Sequence, residues 1–467
     1  MSQNTLTSIR PFGIRDKVGY AFGDIANDFT FILSSSFLLK FYTDVMGVNA
    51  IFVGLMMMAA RVVDAFTDIT MGRIVDTAKI GKNGKFRPWI LRGAGPVALM
   101  SFLLYPTWFQ NMGMTFKIVW MFATYLLWGS VFYTMVNVPY GSMASGLTDD
   151  PKQRTQLSTF RTVGATIASM VIGTGVPMFA YYTDAAGNRV FNGSVFSIIA
   201  LVCSVLAVLC YLVCYFSCTE RVRIEPQSKI AGKKNNFVKN IFTNRALLSL
   251  ICANICLMLS QLTINAMANY VFPNYYGDTN AQVFASLVGS FGIFFVAPLA
   301  TLLATKFGKK ETGAVSCAIA SIGYLVCLIA RPATAWGYLL CTTLAGLGMG
   351  LFAMLCWAYI VDVIDYAEIR NGVREDGTIY SCYTFARKLS QAASSGLSGA
   401  LLTLAGYTTA TAFDPAVTGH IFEISCAVPA VGFGLTALIL CVWYPLNKKS
   451  VEENCAVLAA KREAAQQ

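Results

Sequence analysis

The stretch AIFVGLMMMAARVVDAFTDITMGRIVD, residues 50–76, is long enough to cross a lipid bilayer, yet it carries charged side chains inside its apolar run. A helical crossing needs about 20 mostly apolar residues. Arg61, Asp64 and Asp68 are spaced three and four residues apart, which places them on one helical face. A charge at the bilayer centre costs about 2.5–3.5 kcal/mol unless it faces a partner or a wet cavity. The stretch therefore predicts a transmembrane helix that lines a polar pathway.

The composition of the whole chain extends this prediction to many spans. Hydrophobic residues make up 56% of the 467 residues and charged residues 13%, whereas a soluble domain carries about 25% charged residues. We predict an all-α membrane protein with twelve transmembrane helices. The spans are placed at residues 18–45, 48–78, 88–108, 117–143, 155–182, 194–217, 241–272, 281–305, 311–331, 335–366, 378–406 and 420–444.

Basic residues are distributed unevenly between the connections of this topology. Nearly all of them fall in the segments on one side of the membrane, which by the positive-inside rule is the cytoplasmic side. Both termini are then cytoplasmic, and we expect a multi-pass protein of the bacterial inner membrane. The formal net charge of +11 follows from this topology and from contact with anionic lipids, so no nucleic-acid partner is needed.

The chain is expected to divide into two related halves. The polar stretch TERVRIEPQSKIAGKKNNFVK, residues 219–239, suits a linker. We predict a six-helix bundle at 1–217, a cytoplasmic linker at 218–240, a second six-helix bundle at 241–446 and a cytoplasmic tail at 447–467. LSTFRTVGATIAS follows the fourth span and CYTFARKLSQAASS follows the tenth, which indicates pseudo-symmetric bundles with a site between them near the midplane.

The second predicted span carries a candidate cation site. Asp64 and Asp68 lie about one turn apart, with the Thr67 hydroxyl beside them. Such oxygens can hold a small hard cation such as Na⁺, or the two carboxyl groups can share one proton because like charges resist joint ionisation. The alternative is a static ion triad in which Arg61 pairs with one carboxylate.

Other charges deep in the spans are typical of a ligand site. Asp28 lies about ten residues, or roughly 15 Å, into the first span, and Arg387 and Lys388 are deep in the eleventh. Arg161 lies in the fifth span, where the alternative is snorkelling toward the headgroups. Charged donors and acceptors near aromatic rings suit a polyhydroxylated ligand. The candidate stacking rings are Trp128, Tyr133, Tyr140, Trp357, Tyr380 and Tyr383.

Two charged motifs at the predicted cytoplasmic rim, GRIVDTAKIGKNGKF and DVIDYAEIRNGVRED, are candidate gates. Exposed ion pairs are individually worth about 0–1 kcal/mol, so a latch would need a network. The alternative is a solvated charged rim. The candidate gating residues are Asp76, Lys85, Arg87, Asp362, Asp365, Glu368, Arg370 and Arg374.

The motifs together resemble a known family. FGDIANDFTF, ARVVDAFTDITMGRIVD, GKFRPW, NVPYGSM and GVREDGTIYSCYTFARK are similar, in this order, to motifs of the glycoside-pentoside-hexuronide:cation symporters, a branch of the major facilitator superfamily. The resemblance implies a cation site of Asp64, Thr67, Asp68 and Thr134. It also implies a sugar site that includes Asp28, Asn137, Arg161 and Lys388.

Departures from the family pattern bear on the substrate. Members that transport melibiose carry Lys at the position of Asn27 and Asp at the position that matches Asn137, so this cavity has lost a carboxylate. The resemblance, closest to the glucuronide branch, then implies symport of a sugar or glycoside with H⁺ or Na⁺ by alternating access. The expected substrate is anionic, either a hexuronide or a sulfonated sugar.

Several alternatives remain open from the sequence. An exporter, exchanger or uniporter of a related sugar or sugar-derived acid would share these features, as would a transport-dead membrane sensor. We expect no enzyme activity, because the chain has a single histidine and no phosphate-binding loop or zinc motif. No cofactor beyond the coupling ion is expected, and the partners are the substrate, the cation and the bilayer around a monomer.

Overall fold

The computed structural model describes residues 10–78, 81, 84–148, 150–222, 244–371 and 376–466. The chain forms two compact units, Met1–Ala231 and Gly232–Gln467. Within the described residues each unit contains six long helices, numbered here α1 to α12, and a further helix α13 follows. In the first unit the helices are α1 (Ile14–Asp44), α2 (Ala50–Thr77), α3 (Arg87–Leu103), α4 (Met114–Leu147), α5 (Pro151–Phe179) and α6 (Gly193–Ser217).

The second unit repeats this arrangement. Its helices are α7 (Arg245–Tyr275), α8 (Thr279–Phe307), α9 (Lys309–Ala330), α10 (Ala335–Asn371), α11 (Asp376–Leu404), α12 (Pro415–Trp443) and the terminal α13 (Lys448–Gln466). In the first unit α1 packs on α5 and α6, α3 on α6, and α2 on α4; in the second α7 packs on α11 and α12, α9 on α12, and α8 on α10. The matching pattern confirms the prediction of two related six-helix bundles.

Lipid-facing surfaces explain why the helices are apolar outside. On α6 the large side chains Ile198, Val202 and Leu209 are exposed, whereas the small Ser204 and Ala207 are buried. This is the reverse of a soluble protein, and it suits a bilayer, where small residues let helices approach closely and large apolar ones contact lipid.

Hydropathy alone detects only part of the bundle. Among the described residues eight helices are long and apolar enough to span a membrane, and the bent pair Thr279–Gly292 and Phe294–Phe307 makes a ninth. The bend in α8 measures 44°; Pro298 explains it, because its ring crowds the carbonyl four residues earlier. Among α1 to α12, three helices do not meet this criterion of length and hydropathy. Helices α1 and α11 are rich in polar residues, and α3 has only 17 residues.

A short hairpin replaces the predicted end of the fifth span. Tyr181–Thr183 (β1) pairs antiparallel with Arg189–Phe191 (β2). The turn between them has Gly187 at φ +87°, and the Asp184 carboxylate accepts from the backbone of Asn188 at 2.7 Å. The span was therefore predicted a few residues too long.

The predicted linker begins as part of the first unit. The Glu220 carboxylate accepts hydrogen bonds from the backbone N–H groups of Lys85, Phe86 and Arg87 at 2.7, 2.9 and 2.8 Å. It thereby satisfies the free donors at the N-terminus of α3, where a negative charge is also favoured by the helix dipole. Residues 223–240 of the predicted linker lie outside the described part of the chain.

Asp16 secures the same end of the unit. Its carboxylate is fully buried and pairs with Arg10 at 2.8 Å and Arg221 at 2.9 Å. It also accepts from the backbone N–H of Thr219 at 3.1 Å. A buried carboxylate needs such partners to offset its lost hydration.

We expect Glu220→Ala to lower the stability of the protein by about 2 kcal/mol, because three backbone donors lose their acceptor together. The measurement is the thermal unfolding midpoint of the purified chain in detergent. Glu453→Ala serves as a control, since Glu453 makes only an exposed pair with Lys449 at 3.9 Å. Equal midpoints for the two variants would contradict the capping role.

Candidate functional site

Two carboxylates on α2 each meet a hydroxyl from α4. Ser130 Oγ donates to Asp64 Oδ1 at 2.5 Å, and Thr134 Oγ1 donates to Asp68 Oδ1 at 2.9 Å. Both pairs are separated by 66 residues in sequence, so the two helices run in the same direction and stay in register over one turn. This four-residue group is called the carboxylate–hydroxyl ladder below.

The local backbone of α4 brings these hydroxyls to α2. Leu127–Tyr133 forms a π-helical segment within α4, and such segments are frequent at functional sites. Gly129 lies against α2, where an added Cβ would be 3.6 Å from Asp64 Oδ1. The carbonyl of Gly129 accepts from Thr134 at 3.2 Å. An added Cβ there would be in ordinary van der Waals contact with the carboxylate, so this part of α4 runs directly beside Asp64.

Arg61 adds a positive charge at one end of the ladder. Its Nη1 is 3.5 Å from Asp64 Oδ2, and its guanidinium lies over the Phe31 ring at 4.7 Å. The long single contact is weaker than a bidentate pair. The donors present are hard oxygens, which suit Na⁺ and can also take up a proton.

The hydroxyl of Thr67, which the sequence motif assigns to the cation site, forms a hydrogen bond within its own helix. Its hydroxyl donates to the backbone carbonyl of Asp64 at 3.2 Å, which is a common local contact within a helix. The cation-binding assignment of Thr67 stays a prediction.

A second polar group joins α1, α4 and α5. Arg161 Nε donates to Asp24 Oδ1 at 2.8 Å, and the Arg161 guanidinium lies over the Tyr140 ring at 5.4 Å. Tyr140 also stacks on Tyr20 at 4.7 Å between centroids. The Asp24 side chain is 8% exposed, whereas that of Arg161 is 42% exposed. The pair holds the guanidinium through Nε, and the two terminal nitrogens make no hydrogen bond with the residues that the structure describes.

Asp28 differs from Asp24 and Asn27 in its contacts with the rest of the protein. It lies one turn after Asp24 on α1 and is half-buried, and it makes no hydrogen bond or ion pair with any residue in the described part of the chain. Its neighbour Asn27 is held by Tyr211, whose hydroxyl donates to Asn27 Oδ1 at 2.7 Å, and Asn27 Nδ2 is 3.5 Å from Asn137 Oδ1. A half-buried carboxylate of this kind is an acceptor available to a ligand.

Three further candidate ligand residues, Tyr383, Arg387 and Lys388, lie in the second unit. The hydroxyl of the fully buried Tyr383 donates to Asn254 Oδ1 at 3.0 Å, so its ring belongs to the core. Arg387 and Lys388 are half-buried on α11. Trp128 and Tyr140 in the first unit are also buried, and Tyr133 is the half-exposed ring among the three candidates there.

Three of the candidate gating residues make contacts inside their own units. Arg87 donates to the carbonyl of Tyr215 from Nε at 3.0 Å, and Lys85 is buried beside the Glu220 cap. Asp362 pairs with Lys309 at 2.6 Å. Asp365, Glu368 and Arg370 follow Asp362 on α10. Arg374 and the side chains of Asp76 and Trp357 lie outside the described residues. A gating role for this set stays a prediction.

Sequence reasoning selected neither Ser130 nor Asp24 as a functional residue. A signal for Ser130 was present, because Ser130 and Thr134 on α4 have the same four-residue spacing as Asp64 and Asp68 on α2. No comparable pattern pointed to the Asp24–Arg161 pair, which joins residues 137 positions apart.

Two neutral substitutions on α1 should separate structural from ligand-facing carboxylates. We expect Asp24→Asn to lower stability by about 1–2 kcal/mol through loss of the charged partner of Arg161. Asp28→Asn should change it by less than about 0.5 kcal/mol, because no protein contact is lost. Thermal unfolding in the absence of substrate provides the measurement. Greater destabilisation by Asp28→Asn than by Asp24→Asn would contradict this assignment.

Comparison with known proteins gives a consistent result. Residues 19–448 match the family model described as MFS/sugar transport protein. The chain is 30% identical to the glucuronide carrier protein homolog of Escherichia coli (strain K12) over 464 residues, covering 97% of each. It is 30% identical to the isoprimeverose transporter of Lactiplantibacillus pentosus, covering 93% of this chain and 89% of that protein.

A solved structure supports the fold independently. The crystal structure of a D-xylose-proton symporter aligns with a TM-score of 0.63 at 13% identity, covering 93% of this chain and 98% of that one. At this identity the similarity establishes the fold alone. With the family match over most of its length, the chain belongs to the MFS sugar transporters, a family of all-α membrane proteins built from two six-helix bundles.

Proposed function

We propose that this protein is a secondary active transporter that couples symport of an anionic sugar or glycoside to the movement of H⁺ or Na⁺. The carboxylate–hydroxyl ladder is the observation that carries the proposal. Its oxygens come from two helices, and they are hard donors of the kind that Na⁺ and H⁺ take up. Sugar transport itself follows from the family and the named relatives.

The polar group around Arg161 supports a sugar ligand. Asp28 offers an acceptor to sugar hydroxyls, and the terminal nitrogens of Arg161 offer a planar pair of donors. Carboxylates and sulfonates take two parallel hydrogen bonds from a guanidinium. Tyr133, which is half-exposed on the same helix as Tyr140 and Asn137, provides a ring for the apolar face of a sugar.

The anionic preference also rests on a named relative and on charge. A glucuronide bears a carboxylate, whereas isoprimeverose is a neutral disaccharide. The Asn137 side chain adds no negative charge beside Asn27, and the terminal nitrogens of Arg161 have no hydrogen-bond partner among the described residues, so they can donate to an anion. We therefore favour a hexuronide or a sulfonated sugar. Participation of Arg387 and Lys388 stays a prediction from the sequence.

Coupling between the cation and the sugar follows from the thermodynamic linkage of their binding. Transport by alternating access exposes the ligand sites to one side of the membrane and then to the other. Coupling requires each ligand to raise the affinity of the other by the same factor, which needs about 1–3 kcal/mol. A cation that neutralises the ladder removes a negative charge from the same unit that holds Arg161 and Asp28. That change favours an anionic substrate.

We expect Asp64→Asn and Asp68→Asn to abolish uphill accumulation of substrate while sparing downhill exchange, because each removes a charge on which the cation depends. Accumulation is measured in proteoliposomes under an imposed Na⁺ or pH gradient. Asp184→Asn in the hairpin is the matched control, since asparagine retains the acceptor oxygen of that turn. Undiminished accumulation by both ladder variants would refute the cation assignment.

Competition should identify the class of substrate. With a labelled glucuronide in the same vesicles, we expect hexuronides and sulfonated sugars to inhibit uptake and neutral disaccharides to inhibit at least ten times more weakly, because a neutral ligand gives no charged partner to Arg161. Arg161→Gln should reduce this difference. Stronger inhibition by neutral sugars would overturn the anionic preference and leave sugar transport intact.

A further inference from the structure

We propose that the first unit binds a chain of ordered water molecules between Arg61 and the end of the unit where α1 and α3 end. The water is held by four buried hydroxyl groups, called the hydroxyl cluster below, which belong to Ser34, Tyr42, Tyr105 and Tyr125. The inference concerns a site that the proposed function does not use. It stands or falls independently of the assignments of sugar and cation.

The four hydroxyl groups have no hydrogen-bond partner among the residues that the structure describes. Ser34 and Tyr42 lie on α1, Tyr105 lies shortly after the end of α3, and Tyr125 lies on α4. Each of the four residues is 0% exposed. Native proteins rarely leave a buried hydroxyl group unsatisfied, because such a group has lost its hydration without gaining another partner. Four of them in one bundle therefore indicate a bound molecule that can both donate and accept.

The hydroxyl cluster is continuous from α4 to the end of α1. Tyr125 lies beside Arg61 and Ser34. Tyr105 also lies beside Ser34, and Tyr42 is a further polar neighbour of Tyr105. Ser34 is within reach of both tyrosine hydroxyls, but neither contact has the geometry of a hydrogen bond. Because Ser34 and Tyr42 are separated by about 12 Å along α1, several bridging molecules are needed to connect the cluster.

Arg61, at the deep end of the hydroxyl cluster, also needs acceptors. Its side chain is 12% exposed, and its one hydrogen bond with a described residue is the 3.5 Å contact with Asp64. A guanidinium group has five N–H donors, and a buried charge is costly unless its donors are satisfied. Arg61 lies about 16 Å along α2 from Ala50, where that helix begins. A chain of water along the cluster supplies acceptors to Arg61 from inside the bundle.

The chemistry of the lining selects water over other occupants. Arg61 repels a metal cation, Asp64 beside it repels an anion, and an apolar molecule would leave the hydroxyl groups unsatisfied. Water both donates and accepts, so that one molecule can bridge two or three polar groups. The indole N–H of Trp128 is also buried without a partner in the described part of the chain, and its ring lies 5.4 Å from that of Tyr125. It adds a further donor beside the cluster.

Radiolytic footprinting of the full-length chain in detergent tests the proposal. X-ray pulses convert bound water to hydroxyl radicals, which oxidise buried side chains only where water lies against them. We expect the three tyrosines of the hydroxyl cluster to be oxidised about tenfold faster than Tyr359, because internal water bridges buried polar groups. Mass spectrometry of the peptides measures the rates. Tyr359 is the matched control, since it is also 0% exposed but its hydroxyl donates to the Lys309 carbonyl at 2.6 Å.

Removal of one hydroxyl group gives opposite results for a hydrated and a dry site. Tyr105→Phe takes a partner from the bound water, so we expect a lower thermal unfolding midpoint and slower oxidation of Tyr125. In a dry site the same substitution removes an unsatisfied polar group and raises the midpoint. Tyr182→Phe is the control for this substitution, because Tyr182 is 48% exposed in the hairpin.

Three outcomes would overturn the proposal. The first is oxidation of all three tyrosines as slowly as Tyr359. The second is rapid oxidation of Tyr42 alone, because water would then enter only one end of the cluster. The third is a raised unfolding midpoint in Tyr105→Phe. If that variant does not fold, footprinting of the parent protein decides the question without it.

Discussion

A carboxylate that enters the apolar part of a bilayer loses its water, and the cost is met only by partners that the protein supplies. In the first unit these partners come from other helices. Arg161 of α5 pairs with Asp24, and Ser130 and Thr134 of α4 bind Asp64 and Asp68. The need to satisfy these charges ties α1 and α2 to the helices that carry the donors. It also sets the register of α2 against α4.

The same requirement divides the acidic side chains by role. Asp16 is fully buried and held by two arginines, so it stabilises the end of the unit. Asp24 is buried and orients Arg161. Asp28 is half-buried and has no partner among the residues that the structure describes, which is a stable arrangement only where water or a ligand reaches it. The proposed ligand site is thus defined by the carboxylate that the protein itself leaves without a donor.

The end of the first unit shows how sequence polarity and structural role can differ. Residues 219–221 belong to a polar stretch that suggests a linker, yet Glu220 caps α3 and Arg221 binds Asp16. The second unit uses related contacts at the start of α9, where Lys310 donates to the carbonyl of Tyr444 at 2.8 Å, as Arg87 does to that of Tyr215. Cations at these helix starts therefore bind the C-terminal end of the last helix of each bundle.

The amino-acid sequence by itself determined the membrane class, the twelve helices, their division into two related bundles and the family, because these depend on hydropathy and on motifs that are local in the chain. It also selected Asp64, Asp68 and Thr134 as candidates for one site, since spacing along one helix and motif similarity are visible in one dimension. The tertiary structure decided which donor meets which carboxylate. Ser130 and Asp24 acquired their roles only when residues 66 and 137 positions away came within hydrogen-bonding distance, because such contacts depend on helix register and packing that no local pattern encodes.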